Sequence, residues 1–359
     1  MRRILVVITT AYIPTGGLAS VMMNYYRNID RSGLKIDFAS TNDAPKVLTD
    51  ELSANESRYL QLPPRKNVLA YFNALKKVCK VYDVIHVNGN SATAAIELVS
   101  AWMAGVKVRI AHNHTTKTEH PIIHGLLLPI FRKSYTCGLA CSENAGNWLF
   151  GEGNFCVLQN AIDVERYKFS ALSRNKIRGE FGIPKDAFVV GHVGKYYQAK
   201  NHDWLLEVFY EYQRHHDNCY LLSVGYGGLR EHLEQKIEQL GLTRKVILTG
   251  ERTDIPEMLS SMDIFIFPSI YEGLGMAVIE AQASGLPCLL SDRVPQDVYL
   301  TDYVASLPLS ESARVWARKI DEMIVIDREE QCELNAMSIA KGGYNIKVEA
   351  NELLKIYNS

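Results

Sequence analysis

The sequence predicts an α/β protein made of two doubly wound, Rossmann-like domains. Three observations lead there. The chain has 359 residues, beyond the size at which one hydrophobic core stops growing, so two domains are expected. Short apolar, β-branched runs alternate with longer helical patterns, as βαβ units on a mainly parallel sheet require. That alternation pauses over a polar, charged stretch at 163–185 and then starts afresh, so the second half repeats the plan of the first.

The elements follow in order. In the first half, strands are expected at 4–8, 36–40, 84–87, 106–112, 138–141 and 157–159, with helical patterns between them, among others at 18–29, 68–81, 92–103 and 122–135. A new strand begins at Phe188, followed by 220–224, 246–249, 264–267 and 288–291, and the domains join near residue 170. The opening MRRILVVITTAY places two arginines before an apolar run, as a signal peptide does. The run is short and no small-residue cleavage site follows, so it reads as the first strand. No stretch approaches the ~20 apolar residues that span a bilayer.

Composition narrows the function classes. Hydrophobic residues make up 47% and charged residues 22%, which is ordinary for a soluble globular protein. Lys and Arg number 39 against 40 Asp and Glu, so the basic footprint of a nucleic-acid binder is missing. The seven cysteines are scattered without a CxxC pair. Neither a zinc nor a disulfide framework is expected, and a reducing cytoplasm is the natural compartment.

In doubly wound folds ligands bind beyond the carboxyl ends of the strands, here expected in a cleft between domains. After the first strand, Gly16 and Gly17 can bring backbone N–H groups to an anion at the start of a helix. The GxGxxG fingerprint is absent there, and a flexible loop explains the pair equally well. After the fourth strand, in AHNHTTKTEHP, His112 and His114 point to one face of an extended chain. They can be read as a metal pair, but without Asp, Glu or Cys at ligand spacing a polar substrate contact suits them better. In GHVGKYYQAKNHDW, Lys195 and Lys200 stand after a strand and before a helix near His202, where they could neutralise a diphosphate or simply be solvated. Gly225–Gly228 mimic part of a nucleotide fingerprint, or form a plain tight turn.

The stretch YEGLGMAVIEAQASGLP holds the strongest signal. Residues 265–267 read as a strand, 268–275 as a loop, and Met276 onward as a helix. N–H groups near Leu274 to Ala277 are then free for a hydroxyl or phosphate oxygen. Glu272 lies beside them and Glu280 on the second helical turn, where carboxylates can accept hydrogen bonds from sugar hydroxyls. A glycosidase acid/base pair is the rival reading, disfavoured by the doubly wound plan.

This segment, SIYEGLGMAVIEAQASGLP, resembles the E-x7-E segment of retaining glycosyltransferases of the GT-B fold, family 4. The early GG loop, NHTT, QNAID, GKYYQAKNH and LTGERTDIPEMLSSMDIFIFPS extend the resemblance along nearly the whole chain, closest to bacterial enzymes of capsule, exopolysaccharide and O-antigen assembly. It implies a GT-B fold with an acceptor domain at 1–168, a nucleotide-sugar domain at 169–340 and a closing helix within 341–359 that crosses back to the first domain. It implies a nucleotide-sugar donor, UDP-hexose or UDP-N-acetylhexosamine, a saccharide acceptor that is lipid-linked, and front-face transfer without a metal or other cofactor. Glu280 would hold the ribose, and Glu272 with the backbone of Gly273, Leu274, Gly275 and Met276 the donor sugar. Lys195 and Lys200 would grip the diphosphate, with Gly16 and Gly17 closing on it. Arg252 would lend its backbone to the base, and His114 would contact the sugar near the reacting carbon. Lys195 stands where the family has Arg, which keeps the charge and gives up bidentate contact. NAID stands for the commoner NGVD.

Two other function classes remain open on sequence: an NAD(P)-dependent oxidoreductase, suggested by Gly225–Gly228, and a non-catalytic nucleotide-sugar-binding protein, suggested by Lys195. The apolar segment 121–133, ending in Arg132 and Lys133, reads either as a buried helix or as a peripheral contact with an anionic membrane, with Arg65, Lys66, Lys76 and Lys77 adding charge nearby.

Overall fold

Successive side chains of a strand point to opposite faces, so a strand that is apolar at every position must be covered on both. The strand β1 (Arg2–Ile8) does this from Ile4 onward: Ile4, Val6 and Ile8 enter one core, and Leu5 and Val7 enter another. These contacts come from a computed structural model that describes residues 1–10, 17–323 and 327–359.

The chain divides into two units, Met1–Ala161 with Gly343–Ser359, and Ile162–Gly342. In the first, among the described residues, β1 is joined by β2 (Leu34–Ser40), β3 (Tyr59–Gln61), β4 (Val84–Gly89), β5 (Val108–Asn113), β6 (Cys137–Ala140) and β7 (Cys156–Val157). The order is β3-β2-β1-β4-β5-β6-β7 and every pairing is parallel. One face is covered by the helices Gly17–Asn28 and Ile346–Asn358, which contribute Met22, Tyr25, Ile346 and Leu353. The other is covered by Val68–Cys79, Ala95–Met103 and Pro121–Ser134, through Leu75, Leu98 and Phe131.

The second unit repeats the plan with β8 (Phe188–Val193), β9 (Cys219–Val224), β10 (Val246–Leu248), β11 (Ile264–Phe267), β12 (Cys288–Ser291) and β13 (Val304–Leu307), in the order β10-β9-β8-β11-β12-β13. All of its pairings are parallel too. In each sheet the strand order reverses once, between β1 and β4 and between β8 and β11. Doubly wound sheets open a crevice for ligands at such a switch point.

Several local differences from the sequence reading have simple causes. β3 and β13 are short strands with half-buried residues, too brief to show a pattern. β7 covers Cys156–Val157 and stops before Leu158, whose N–H still reaches the Ala140 carbonyl. The first unit ends at Ala161 rather than at 168, because the helix Val164–Tyr167 packs on the second unit's helices. The closing helix starts at Ile346 and buries Ile346, Ala350, Leu353 and Tyr357 in the first unit.

The segment 121–133 is not a buried helix. Phe131 enters the core and Leu127 and Leu128 pack against it, while Ile122 (78% exposed), Leu126 (72%) and Ile130 (48%) recur every fourth residue along the outward face. Leu69, Trp102 and Met103 on the neighbouring helices are exposed as well. Among the described residues, no helix is long and apolar enough to cross a membrane.

Candidate active site

In the second unit the switch point places two loops side by side. One follows β8 and carries Lys195 and Lys200. The other follows β11 and carries Glu272. The Ile270 N–H donates to the Ala199 carbonyl at 2.8 Å, tying the loops together. The Lys200 ammonium meets Glu272 Oε1 at 2.6 Å and lies over the Phe267 ring, 4.7 Å from its centroid. With its side chain only 8% exposed, Glu272 depends on that cation, since an unpaired carboxylate at such depth would be costly. Asn201, at φ 56°, makes the left-handed turn from Lys200 into the helix His202–Gln213, a conformation that asparagine tolerates better than most residues.

The second loop ends at Gly275, whose φ of 95° calls for glycine even though a Cβ there would meet only ordinary contacts. It starts the helix Met276–Ala283, and no side chain caps the first turn among the described residues. The first backbone N–H groups are therefore available, with the positive end of the helix dipole behind them. Glu280 sits further along the same helix and is half-buried. Tyr167 Oη donates to its Oε1 at 3.0 Å. Loss of water pushes the Glu280 pKa up to about 7, partly offset by the Tyr167 hydrogen bond and by Arg166.

The glycines of GYGG serve packing. A Cβ on Gly225 would come within 1.9 Å of the Gly194 carbonyl oxygen, and one on Gly227 within 2.6 Å of that of Tyr196. Tyr196 N–H donates to the Tyr226 carbonyl at 2.8 Å. The turn thus grips the loop that carries Lys195, whose ammonium lies 5.5 Å from the centroid of the Tyr226 ring.

In the first unit, the face of β4 and β5 that holds Val84 and Ile110 in the core turns polar at its carboxyl end. Residue Asn88 pairs in register with His112, so His86, Asn88 and His112 share that face. His112 stacks between two other imidazoles, 5.3 Å from His86 and 4.0 Å from His114, centroid to centroid. His114 Nε2 is 3.0 Å from Asn88 Oδ1. Burial lowers all three imidazoles: His86 to about 3, His114 to about 4, and His112 well below its ordinary value. All three are therefore neutral at pH 7. The Gly16 of the early loop lies outside the described residues, and Gly17 begins the helix Gly17–Asn28.

The comparisons with known proteins agree with this layout. Residues 173–337, within the second unit, match the family model "Glycosyl transferases group 1". The chain is 31% identical over 360 residues, 96% of its own length and 93% of the relative's, to EpsF of Bacillus subtilis (strain 168), named as a glycosyltransferase. The chain belongs to the group 1 glycosyltransferases. This glycosyltransferase is also 27% identical over 243 residues, covering 63% of itself and 62% of the relative, to an Escherichia coli UDP-Gal:alpha-D-GlcNAc-diphosphoundecaprenol alpha-1,3-galactosyltransferase. A crystal structure of Anabaena HepE in complex with UDP aligns with all of both chains at a TM-score of 0.76 and 18% identity. The fold is accordingly of the GT-B class, and the oxidoreductase reading falls.

Within this glycosyltransferase the predicted residues divide clearly. Lys200 and Glu272 meet at the β8/β11 switch point, Lys195 stands earlier on the loop after β8 beside Tyr226, and the Gly273–Met276 turn leads into the helix that carries Glu280. His114 stands at the β4/β5 strand ends of the first unit. The Arg252 guanidinium is taken up by Glu180 at 2.7 Å and by Asp254 at 2.8 and 2.6 Å, so its side chain is spent on structure. Sequence reasoning passed over Tyr167, Phe267, His86, Asn88 and Tyr357. The alternation in IHVNGN, polar at every second position of an otherwise apolar strand, was the available signal for two of them.

Proposed function

We propose that this glycosyltransferase is a family 4 enzyme acting with retention of configuration. It moves a hexose or N-acetylhexosamine from a UDP-sugar to a lipid-linked saccharide during cell-surface polysaccharide assembly. One observation carries the reading: Glu272, paired with Lys200, stands on the loop that leads into an uncapped helix start, and Glu280 follows on that same helix. A diphosphate can share the Lys200 ammonium with Glu272, and Lys195 supplies a second cation. Donor-sugar hydroxyls donate to Glu272, ribose hydroxyls donate to Glu280, and the N–H groups of Gly273–Met276 meet the remaining oxygens. Both lysines stabilise charge that grows on the departing diphosphate, a task that needs no metal ion here. The leaving phosphate oxygen takes the acceptor proton as the hydroxyl attacks from the same face, and neutral His114 contacts the sugar.

The E. coli relative's name, with its UDP-Gal donor and diphosphoundecaprenol-linked acceptor, supports a UDP-sugar and a lipid carrier for this chain too. A lipid-linked acceptor also gives the outward stripe of Ile122, Leu126 and Ile130 a use. Exposed apolar residues on a helix that ends in the exposed cations Arg132 and Lys133 suit peripheral contact with an anionic membrane, which would be the inner face of the plasma membrane. Arg65 is not among those cations, because it is held by Glu97 at 2.8 Å.

A thermal-shift screen of nucleotide sugars, followed by transfer assays, tests the reading, since a ligand that binds the folded state raises its melting temperature. UDP-sugars should give the largest shift, and turnover should persist in a metal chelator. Glu280→Ala and Lys200→Ala should each abolish transfer. Full activity in both variants would overturn the assignment, and tight donor binding with no transfer to any acceptor would favour a binding protein.

A further inference from the structure

The three imidazoles of the first unit do not end at His112. His86 Nδ1 lies 2.8 Å from the hydroxyl of Tyr357, on the closing helix Ile346–Asn358. His86 Nε2 lies 3.2 Å from His112 Nδ1. Tyr357, His86 and His112 are each at most 2% exposed, while His114 is half-buried and reaches the surface.

The direction of this chain can be worked out. Each imidazole is neutral and so carries one ring proton. Beyond His112 stands the Leu158 carbonyl, which favours a proton on the histidine and can only accept. His112 Nε2 is buried without a hydrogen-bond partner among the described residues, and a proton there leaves Nδ1 as an acceptor. His86 must then donate from Nε2 and accept at Nδ1, and the Tyr357 hydroxyl is the donor that completes the line. With the protons reversed, the Tyr357 O–H would lose its acceptor and the buried His112 Nε2 would keep a lone pair with no donor, a costlier arrangement at this depth. The first order leaves one buried group unpaired, the His112 Nε2–H, and its reverse leaves two.

We propose that Tyr357 and His86 are positioning residues for the strand-end histidine: through them the closing helix fixes the tautomer and ring plane of His112, against which His114 is stacked. His114 is held edge-on by Asn88 and face-on by His112. Only His114 is asked to touch the sugar, so the proposal rests on that role.

The test uses the full chain and reads kcat and donor KM separately. Tyr357→Phe removes one hydroxyl and keeps the ring. His86→Gln can still accept from Tyr357 through Oε1 and donate to His112 through Nε2, whereas His86→Leu can do neither. We expect Tyr357→Phe and His86→Leu to lower kcat about tenfold, the effect of one buried hydrogen bond, with donor KM nearly unchanged. His86→Gln should recover most of the loss. Nitrogen-15 NMR of the imidazoles should show His112 protonated at Nε2 in the wild type and mixed in Tyr357→Phe. The proposal is overturned if folded Tyr357→Phe and His86→Leu turn over like the wild type, if His86→Gln fares no better than His86→Leu, or if the His112 tautomer does not change. A His114→Ala control separates the two readings. Full activity in that variant would sink the sugar contact, while the tautomer measurement would still report on the relay.

Discussion

The two units build the carboxyl ends of their sheets in opposite electrical styles. At the β8/β11 switch point the second unit assembles charge: Lys195, Lys200 and Glu272, with Glu280 poised near neutrality. Beside β4 and β5 the first unit assembles three imidazoles, two buried and one half-buried, all uncharged at pH 7. Burial explains both. Lys200 stands on a loop where Glu272 offsets the loss of water, whereas His86 and His112 stand inside the sheet's own core with neutral partners. In the proposed transfer the leaving diphosphate calls for the cations of the second unit.

The most severe way to break the comparison is to remove the cation. Lys200→Ala should lower turnover at least 100-fold, and leaving Glu272 unpaired should destabilise the chain by about 3 kcal/mol. Denaturant titration of Lys200→Met with Glu272→Gln should recover most of that stability but none of the activity. A recovery of activity would show that the charge is dispensable.

On the first unit, Leu126→Glu places a charge in the outward apolar stripe. Sedimentation with anionic vesicles should fall about tenfold, with turnover on a water-soluble acceptor unchanged. Equal partitioning of the two proteins would remove the membrane from the account.

The Glu280 carboxyl offers a sharper pH test. Its pKa in the fold, about 7, exceeds the ordinary 4.5, so the neutral form is the favoured one. Its favourable share of stability is complete below pH 4.5 and is lost as the pH rises through 7. Glu280→Gln should therefore be more stable than wild type at pH 8, by about 1–2 kcal/mol after allowance for partial exposure, and equal to it at pH 4. UDP affinity should run the other way. Ribose hydroxyls need the carboxylate as acceptor, so wild-type binding should tighten up to pH 8 and release a proton at pH 6, measurable by calorimetry in two buffers. The smallest effect expected is a gain: Lys195→Arg offers a bidentate phosphate contact and should tighten UDP about threefold.

Much of the second unit's site was legible because its signals are local. Strand, glycine turn and helix start follow within one short stretch, and the break at Gly275 needs no tertiary information. What escaped depended on distance along the chain. Tyr167 meets Glu280 from 113 positions away, and Tyr357 meets His86 from 271 away, so neither pairing leaves a spacing to notice. The segment 121–133 escaped for another reason. Apolar residues lie on both sides of that helix, and hydrophobicity alone does not tell which side will be covered.

The closing helix has one more consequence, which concerns synthesis. The second unit is a continuous stretch, Ile162–Gly342, but the first is not complete until Gly343–Ser359 is added. As the chain leaves the ribosome, the second unit can close while the first still lacks Ile346, Leu353 and Tyr357, and so leaves part of one sheet face bare. The half that is translated first is therefore the half that can finish folding last, and a chain that loses its final turns is expected to keep a sound second unit beside an aggregation-prone first one.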